Sequence, residues 1–123
     1  MGKRILVVDD DPTVRELIAS ILDLEGIETA VAADGDAGLA LARAMRPDVV
    51  LLDIMMPGMD GYEVCRILKG FGRPPKVVMV TVKAGPEHEL AALAAGADLY
   101  IRKPFSPADI LGAVGAQTVP EPS

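Results

Sequence analysis

A chain of 123 residues has room for one core of ordinary size and not for two. Half of it is apolar, aromatic residues make up 3% and tryptophan is absent, so that core is built from Val, Leu, Ile, Ala and Met. A formal net charge of -6 with no Lys/Arg-rich stripe argues against direct nucleic-acid binding, and no apolar run approaches a membrane span. The start Met1-Gly2-Lys3-Arg4-Ile5-Leu6 has neither a secretory pattern nor the Ser or Thr of a myristoylation site. Cys65, the single cysteine, cannot form an internal disulfide; a reduced, cytoplasmic setting is expected, with the thiol acting as a small hydrophobe.

The first predicted element is a strand over residues 4–8, running straight into Asp9-Asp10-Asp11. A helix follows from Pro12 to Leu24, with Asp11 as N-cap, Pro12 at the first helical position, and Val14, Leu17, Ile18, Ile21 and Leu22 on the inward side. After a strand at 27–32 comes a small-residue helix from Asp34 to Met45, stopped before Pro47. The run Val49-Val50-Leu51-Leu52-Asp53 is the third strand (49–53), and Asp60 caps a helix carrying Val64, Ile67 and Leu68 that ends near Gly70. A strand at 76–81 ends on Thr81, and an Ala-rich helix spans Pro86 to Ala95 with His88 solvated near its start. A last strand at 98–102 runs into Lys103-Pro104, a step that can take the cis form in a rigid turn, and Ser106 caps a short fifth helix. Gly112 and Gly115 weaken that helix by about 1 kcal/mol each relative to Ala.

Strands and helices alternate through short loops, and several strands lack polar alternation. The fold class expected is α/β: a five-stranded parallel sheet of order 2-1-3-4-5 flanked by five helices, flavodoxin-like and doubly wound. Residues 1–117 would form the domain, and 118–123 a Pro-rich tail or the stump of a linker.

Parallel strands deliver the residues just past their carboxyl ends to one edge of the sheet. Asp9, Asp10 and Asp53 would then lie within a few ångströms of one another. Two like charges about 4 Å apart repel by about 4 kcal/mol at an effective dielectric near 20. Such a cluster wants a counter-ion, and an all-oxygen site suits Mg²⁺, or Mn²⁺ in vitro. Lys103 adds a point charge for a phosphoryl oxygen and Thr81 a hydroxyl donor, which completes a kit for an aspartyl-phosphate intermediate.

The stretches Ile5 to Asp11, Pro47 to Gly61, Val80-Thr81 and Gly96 to Phe105, in this order and spacing, resemble the response-regulator receiver domain of two-component signalling over roughly residues 4–116. The resemblance implies that Asp53 accepts a phosphoryl group from the phosphohistidine of a sensor histidine kinase or phosphotransfer protein. It implies that Asp10, Asp53 and the backbone carbonyl of Met55 ligate Mg²⁺, with Asp9 acting through a metal-bound water. Thr81 and Lys103 would hold the phosphoryl oxygens, and Tyr100 would switch rotamer to report to a downstream protein through the face made by the fourth helix, fifth strand and fifth helix. Direct nucleic-acid and membrane contacts are not implied for this chain. The weak fifth helix lacks the basic residues of members that dimerise there and carry a winged-helix domain, and Leu99 stands where many of those have an acid. Val82, where the family usually carries a small residue, predicts slow hydrolysis of the phosphoryl group or a tighter demand on the donor; Met55 and Lys83 stand where members tune its lifetime.

Asp9-Asp10-Asp11-Pro12-Thr13 also fits the Asp-x-Asp-x-Thr signature of haloacid-dehalogenase-type phosphatases, with Asp9 as nucleophile, Asp11 as acid/base, and Thr81 and Lys103 in the second and third motifs. Against this rival stand the immediate start of a helix, which leaves no room for a flap, and the absence of any role for Asp53.

Overall fold

Residues 3–115 are described here by a computed structural model. Strand β1 (Arg4–Val8) lies between β2 (Glu28–Ala32) and β3 (Val49–Leu52), and β4 (Lys76–Thr81) and β5 (Leu99–Arg102) extend the sheet beyond β3. All pairings are parallel and the order is β2-β1-β3-β4-β5, as expected from the sequence. The helices are α1 (Pro12–Leu24), α2 (Gly35–Met45), α3 (Gly61–Lys69), α4 (Pro86–Ala95) and α5 (Pro107–Ala113). The proposed division at 117/118 falls outside the described residues.

The two-residue period of the strands sorts the apolar side chains into two layers. Ile5, Val7, Val49, Leu51, Val78 and Val80 meet Ile18, Ile21 and Leu22 of α1 and Ile110 and Ala113 of α5. Leu6, Val8, Val50, Leu52, Val77 and Met79 meet the opposite layer, built from α2, α3 and α4. Apart from Arg4, Lys76 and Thr81 at their ends, the three central strands are therefore apolar and buried on both faces, which is why alternation is missing from their sequence.

Helix starts are fixed locally. Asp11, Asp34 and Asp60 accept from the backbone N–H groups of Thr13, Ala37 and Glu63 at 2.9, 2.8 and 3.0 Å, and Ser106 forms a reciprocal capping box with Asp109. Each such cap is worth about 1 kcal/mol. The C-terminus of α2 is unusual: Arg46, φ 50°, is the one non-glycine residue with positive φ among the described residues. Its N–H reaches Ala42 O at 3.0 Å, at a conformational cost of roughly 1–2 kcal/mol for a residue bearing Cβ. The Lys103–Pro104 peptide is cis.

Three expectations are corrected. Leu17 is 50% exposed rather than inward-facing, because the α1 stripe that meets the sheet is narrower and centred on Ile18, Ile21 and Leu22. Strand β3 ends at Leu52, leaving Asp53 in the loop beyond it. His88 is half-buried, with Nδ1 3.3 Å from the Tyr62 hydroxyl across the α3–α4 contact, rather than freely solvated. The inward face of α2 also rests on glycine as much as alanine: a Cβ on Gly38 would lie 2.9 Å from Val8 Cγ2.

Asp98 ties the start of β5 to its neighbours, accepting from Val77 N–H at 2.8 Å and Lys69 Nζ at 2.9 Å. Partial burial alone would raise its carboxyl pKa, but these two donors outweigh it and hold it below the ordinary value. A lowered folded-state pKa means that the contribution is complete above the unfolded value of about 3.9 and is lost as pH falls through the folded one. Asp98→Asn is therefore expected to lower the thermal midpoint at pH 7, by an amount kept modest by solvent screening, and the gap from wild type should close below about pH 3.9. A gap independent of pH in thermal melts would contradict this.

Candidate functional site

The carboxyl edge of the central strands gathers the groups named from the sequence. Asp9 follows β1 and is 2% exposed; Asp53 follows β3 and is 5% exposed; Thr81 ends β4 and is fully buried. Their positions are set by the sheet itself: Asp53 N–H donates to Val8 O at 3.0 Å, and Lys103 N–H to Thr81 O at 2.8 Å. Arg15 of α1 donates through Nη1 to the Asp9 carbonyl at 2.8 Å and fixes the β1–α1 turn.

Lys103 is the centre of the arrangement. Its ammonium donates to Asp9 Oδ2 at 2.8 Å and to Asp53 Oδ2 at 3.0 Å. The other oxygens accept from the backbone: Asp9 Oδ1 from Asp11 N–H at 2.9 Å, Asp53 Oδ1 from Met55 N–H at 3.0 Å. Among the described residues no buried side-chain polar atom is left without a partner. Burial pushes the Asp9 carboxyl above its ordinary range, an effect that the Lys103 ammonium and the Asp11 N–H only partly offset. Burial would also lower the Lys103 pKa, but the two carboxylates outweigh it and hold the ammonium above its ordinary value, so the side chain is charged throughout the neutral range.

Asp10 is exposed, yet one carboxylate oxygen from each of Asp9, Asp10 and Asp53 can lie within 4.8 Å of the others. Three neighbouring carboxylates against one ammonium, which contacts two of them, leave an excess of negative charge on hard oxygen donors, a set that fits a divalent cation such as Mg²⁺ better than a soft or strictly tetrahedral metal. Met55 is half-exposed through its side chain, so its thioether is not part of a closed soft-metal site.

Thr81 and Tyr100 are coupled through one loop. Thr81 Oγ1 accepts from Lys83 N–H at 3.3 Å, while the Tyr100 hydroxyl donates to Lys83 O at 2.9 Å. Asp11, assigned as acid/base in the phosphatase reading, spends its carboxylate on the α1 cap. Cys65 is buried with its thiol donating to Ala95 O at 3.4 Å, and burial pushes its pKa up to about 11, so it is not a thiolate at neutral pH.

One positioning residue escaped the sequence reading. A Cβ on Gly61 would run into the backbone carbonyl of Asp53 and lie 2.6 Å from Ile54 Cα, so only glycine lets α3 approach the Asp53 loop this closely. The Asp-Gly step at a helix start was the available signal.

A family model, the response regulator receiver domain, matches residues 5–115. The chain belongs to the response-regulator receiver family. DNA-binding response regulator MtrA of Mycolicibacterium smegmatis is 45% identical to this receiver over 117 residues, covering 95% of the chain and 51% of MtrA. Response regulator MprA of Mycobacterium tuberculosis is 41% identical over 124 residues, covering 98% and 54%. The chain thus spans about half the length of these relatives. Among solved structures, chemotaxis protein CheY4 of Vibrio cholerae superimposes with a TM-score of 0.89 at 31% identity, covering 94% of this chain and 98% of that one. A CheY-like receiver of Methanospirillum hungatei gives 0.88 at 37%, covering 94% and 92%. Nothing in these likenesses or in the 2-1-3-4-5 sheet supports the haloacid-dehalogenase reading. Among the described residues no helix is long and apolar enough to cross a membrane.

Proposed function

We propose that this receiver is a phosphorylation switch in which Asp53 accepts the phosphoryl group of a kinase or phosphotransfer-protein phosphohistidine. The observation that carries the reading is a buried Asp53 carboxylate bridged by Lys103 to a second buried carboxylate, Asp9, at the carboxyl edge of the sheet. In the transfer an Asp53 oxygen forms the new O–P bond as the P–N bond breaks and the imidazole leaves. Lys103 meets the charge on the transferring oxygens, and Thr81 offers its hydroxyl to one of them. Asp10, Asp53 and the Met55 carbonyl would hold Mg²⁺ (Mn²⁺ in vitro), with Asp9 acting through a water. When bound, the ion neutralises the carboxylates and the phosphoryl charge.

Phosphorylation would draw Thr81 toward the new acceptor oxygens. Because Thr81 and Tyr100 share Lys83 as partner, that movement reaches Tyr100 directly. Around Tyr100 the surface is apolar: Leu90, Leu93 and Leu99 are 65, 67 and 42% exposed, beside a cavity of about 420 Å³. This supports a protein target docking on the face of α4, β5 and α5 as the output. Val82, 61% exposed immediately after Thr81, puts a branched apolar group on the solvent side of that strand end and supports slow hydrolysis of the phosphoryl group. MtrA is named as DNA-binding, and half of its length lies beyond the match; for the receiver itself we propose protein partners in the cytoplasm rather than nucleic acid or membrane.

Beryllofluoride, a phosphoryl mimic, tests the switch. With Mg²⁺ present, amide NMR signals of residues 53–57, 81–83 and 99–103 should shift together in wild type and stay unmoved in Asp53→Asn. Shifts that survive in Asp53→Asn, or that stop short of Lys83 and Tyr100, would contradict the proposal.

A further inference from the structure

The amino edge of the sheet, opposite the acidic site, carries the reverse charge. A cavity of about 700 Å³ opens there between the end of α2, the start of β1 and the segment joining α3 to β4. Arg4, Arg43, Arg46 and Arg73 line it, four of the seven arginines in a chain of net charge -6. They come from three separate stretches of the sequence, so no basic run announces them. Among the described residues none of the four is ion-paired to a carboxylate. Asp48, the one acid in the lining, directs Oδ2 to the Arg4 backbone N–H at 2.8 Å.

Two further features show that this is more than a scatter of surface cations. The Arg43 guanidinium carbon lies 5.6 Å from the Phe71 ring centroid, which makes a flat cationic platform at the cavity wall. Arg4 Nη2 donates to the Arg46 carbonyl at 3.3 Å, where the chain holds a left-handed conformation that glycine would adopt without strain. An arginine kept at a glycine position, beside three others that form no ion pair among the described residues, is an outlier that points to a ligand.

We propose that this cavity binds a nucleoside phosphate, its phosphates forked by Arg4, Arg46 and Arg73 and its base stacked on Arg43 where that side chain covers Phe71. Arginine suits both halves of such a ligand, being a bidentate partner for phosphate and a stacking surface for a base. A cavity of this size falls within the range of small-molecule sites. The site is independent of Asp53 and would give the receiver a second, small-molecule input.

The test is amide NMR of the chain without Mg²⁺, titrated separately with ATP, GTP, cyclic di-GMP and inorganic pyrophosphate. At least one nucleotide should saturate shifts at residues 43–46 and 71–73 with Kd of about 0.5 mM or tighter, and weaken as salt is raised. Arg46→Gly and Arg73→Ala should each weaken that nucleotide about tenfold or more, the expected loss of a charge-assisted contact. Arg46→Gly relieves the left-handed residue, so its Tm should equal or exceed that of wild type, which separates lost binding from lost folding. Both variants should keep the beryllofluoride response at Lys83 and Tyr100. No saturable shift up to about 5 mM for any nucleotide would overturn the proposal. So would binding unchanged in both variants, pyrophosphate binding as tightly as every nucleotide, or the same residues responding only to a hexaglutamate peptide, which would assign the face to an acidic protein.

Discussion

Lys103→Met is expected to lower the rate of Asp53 phosphorylation about 10²–10³-fold, the range seen when one preorganised charge-stabilising donor is removed from a reacting oxygen. The same change leaves Asp9 and Asp53, 2% and 5% exposed, without the ammonium that now bridges them at 2.8 and 3.0 Å. Removing one partner of a buried ionic group costs about 3–5 kcal/mol when the remaining charge stays uncompensated. Here the loss should be smaller, because Asp9, already raised by burial, can take up a proton. The sign of that shift sets the pH dependence. A carboxyl raised in the folded state stabilises below the unfolded value of about 3.9 and loses the contribution as pH rises through its folded pKa, so the deficit of Lys103→Met should grow from pH 4 toward neutrality. Urea titrations at several pH values check this. Mg²⁺ should restore more stability to the variant than it adds to wild type, since it would be the remaining counter-ion.

Gly61→Ala is expected to destabilise by about 1–3 kcal/mol or more and to slow phosphorylation about 10²-fold, although Gly61 carries no reactive group. The added methyl would meet the Asp53 carbonyl and the Ile54 Cα, both main-chain atoms that no rotamer change can move aside. Either α3 lifts away from the sheet or the loop holding Asp53 shifts. A shift of the loop separates the carboxylate from Lys103, and a lifted α3 leaves that loop without its support. Denaturant midpoints and the phosphorylation rate should therefore fall together, whereas an exposed-helix substitution such as Gly112→Ala, with open space at its Cβ, should leave the rate unchanged. A Gly61→Ala protein with wild-type rate would show that the loop tolerates displacement.

The features legible in the sequence were local or periodic. Asp11, Asp34, Asp60 and Ser106 announce helix starts because capping is decided within three residues. Asp9, Asp53, Thr81 and Lys103 could be placed together because parallel strands deliver their successors to one edge. The rest depends on contacts between elements. The exposure of Leu17 reflects how α1 rolls on the sheet, and the Tyr62–His88 contact the distance between α3 and α4. The tight fits at Gly38 and Gly61 exist only once a helix is seated, and the four arginines of the amino edge converge only in space. Short-range chemistry was readable; the intersegment distances that make Gly61 and Arg46 consequential were not.

Intact-protein mass after incubation with acetyl phosphate and Mg²⁺, for wild type, Asp53→Asn and Asp9→Asn, tests the central assignment most directly. One phosphoryl group should add to wild type as acetate leaves, and none to Asp53→Asn. An adduct or steady acetyl phosphate hydrolysis that persists in Asp53→Asn and vanishes in Asp9→Asn would contradict the account and put the nucleophile after β1.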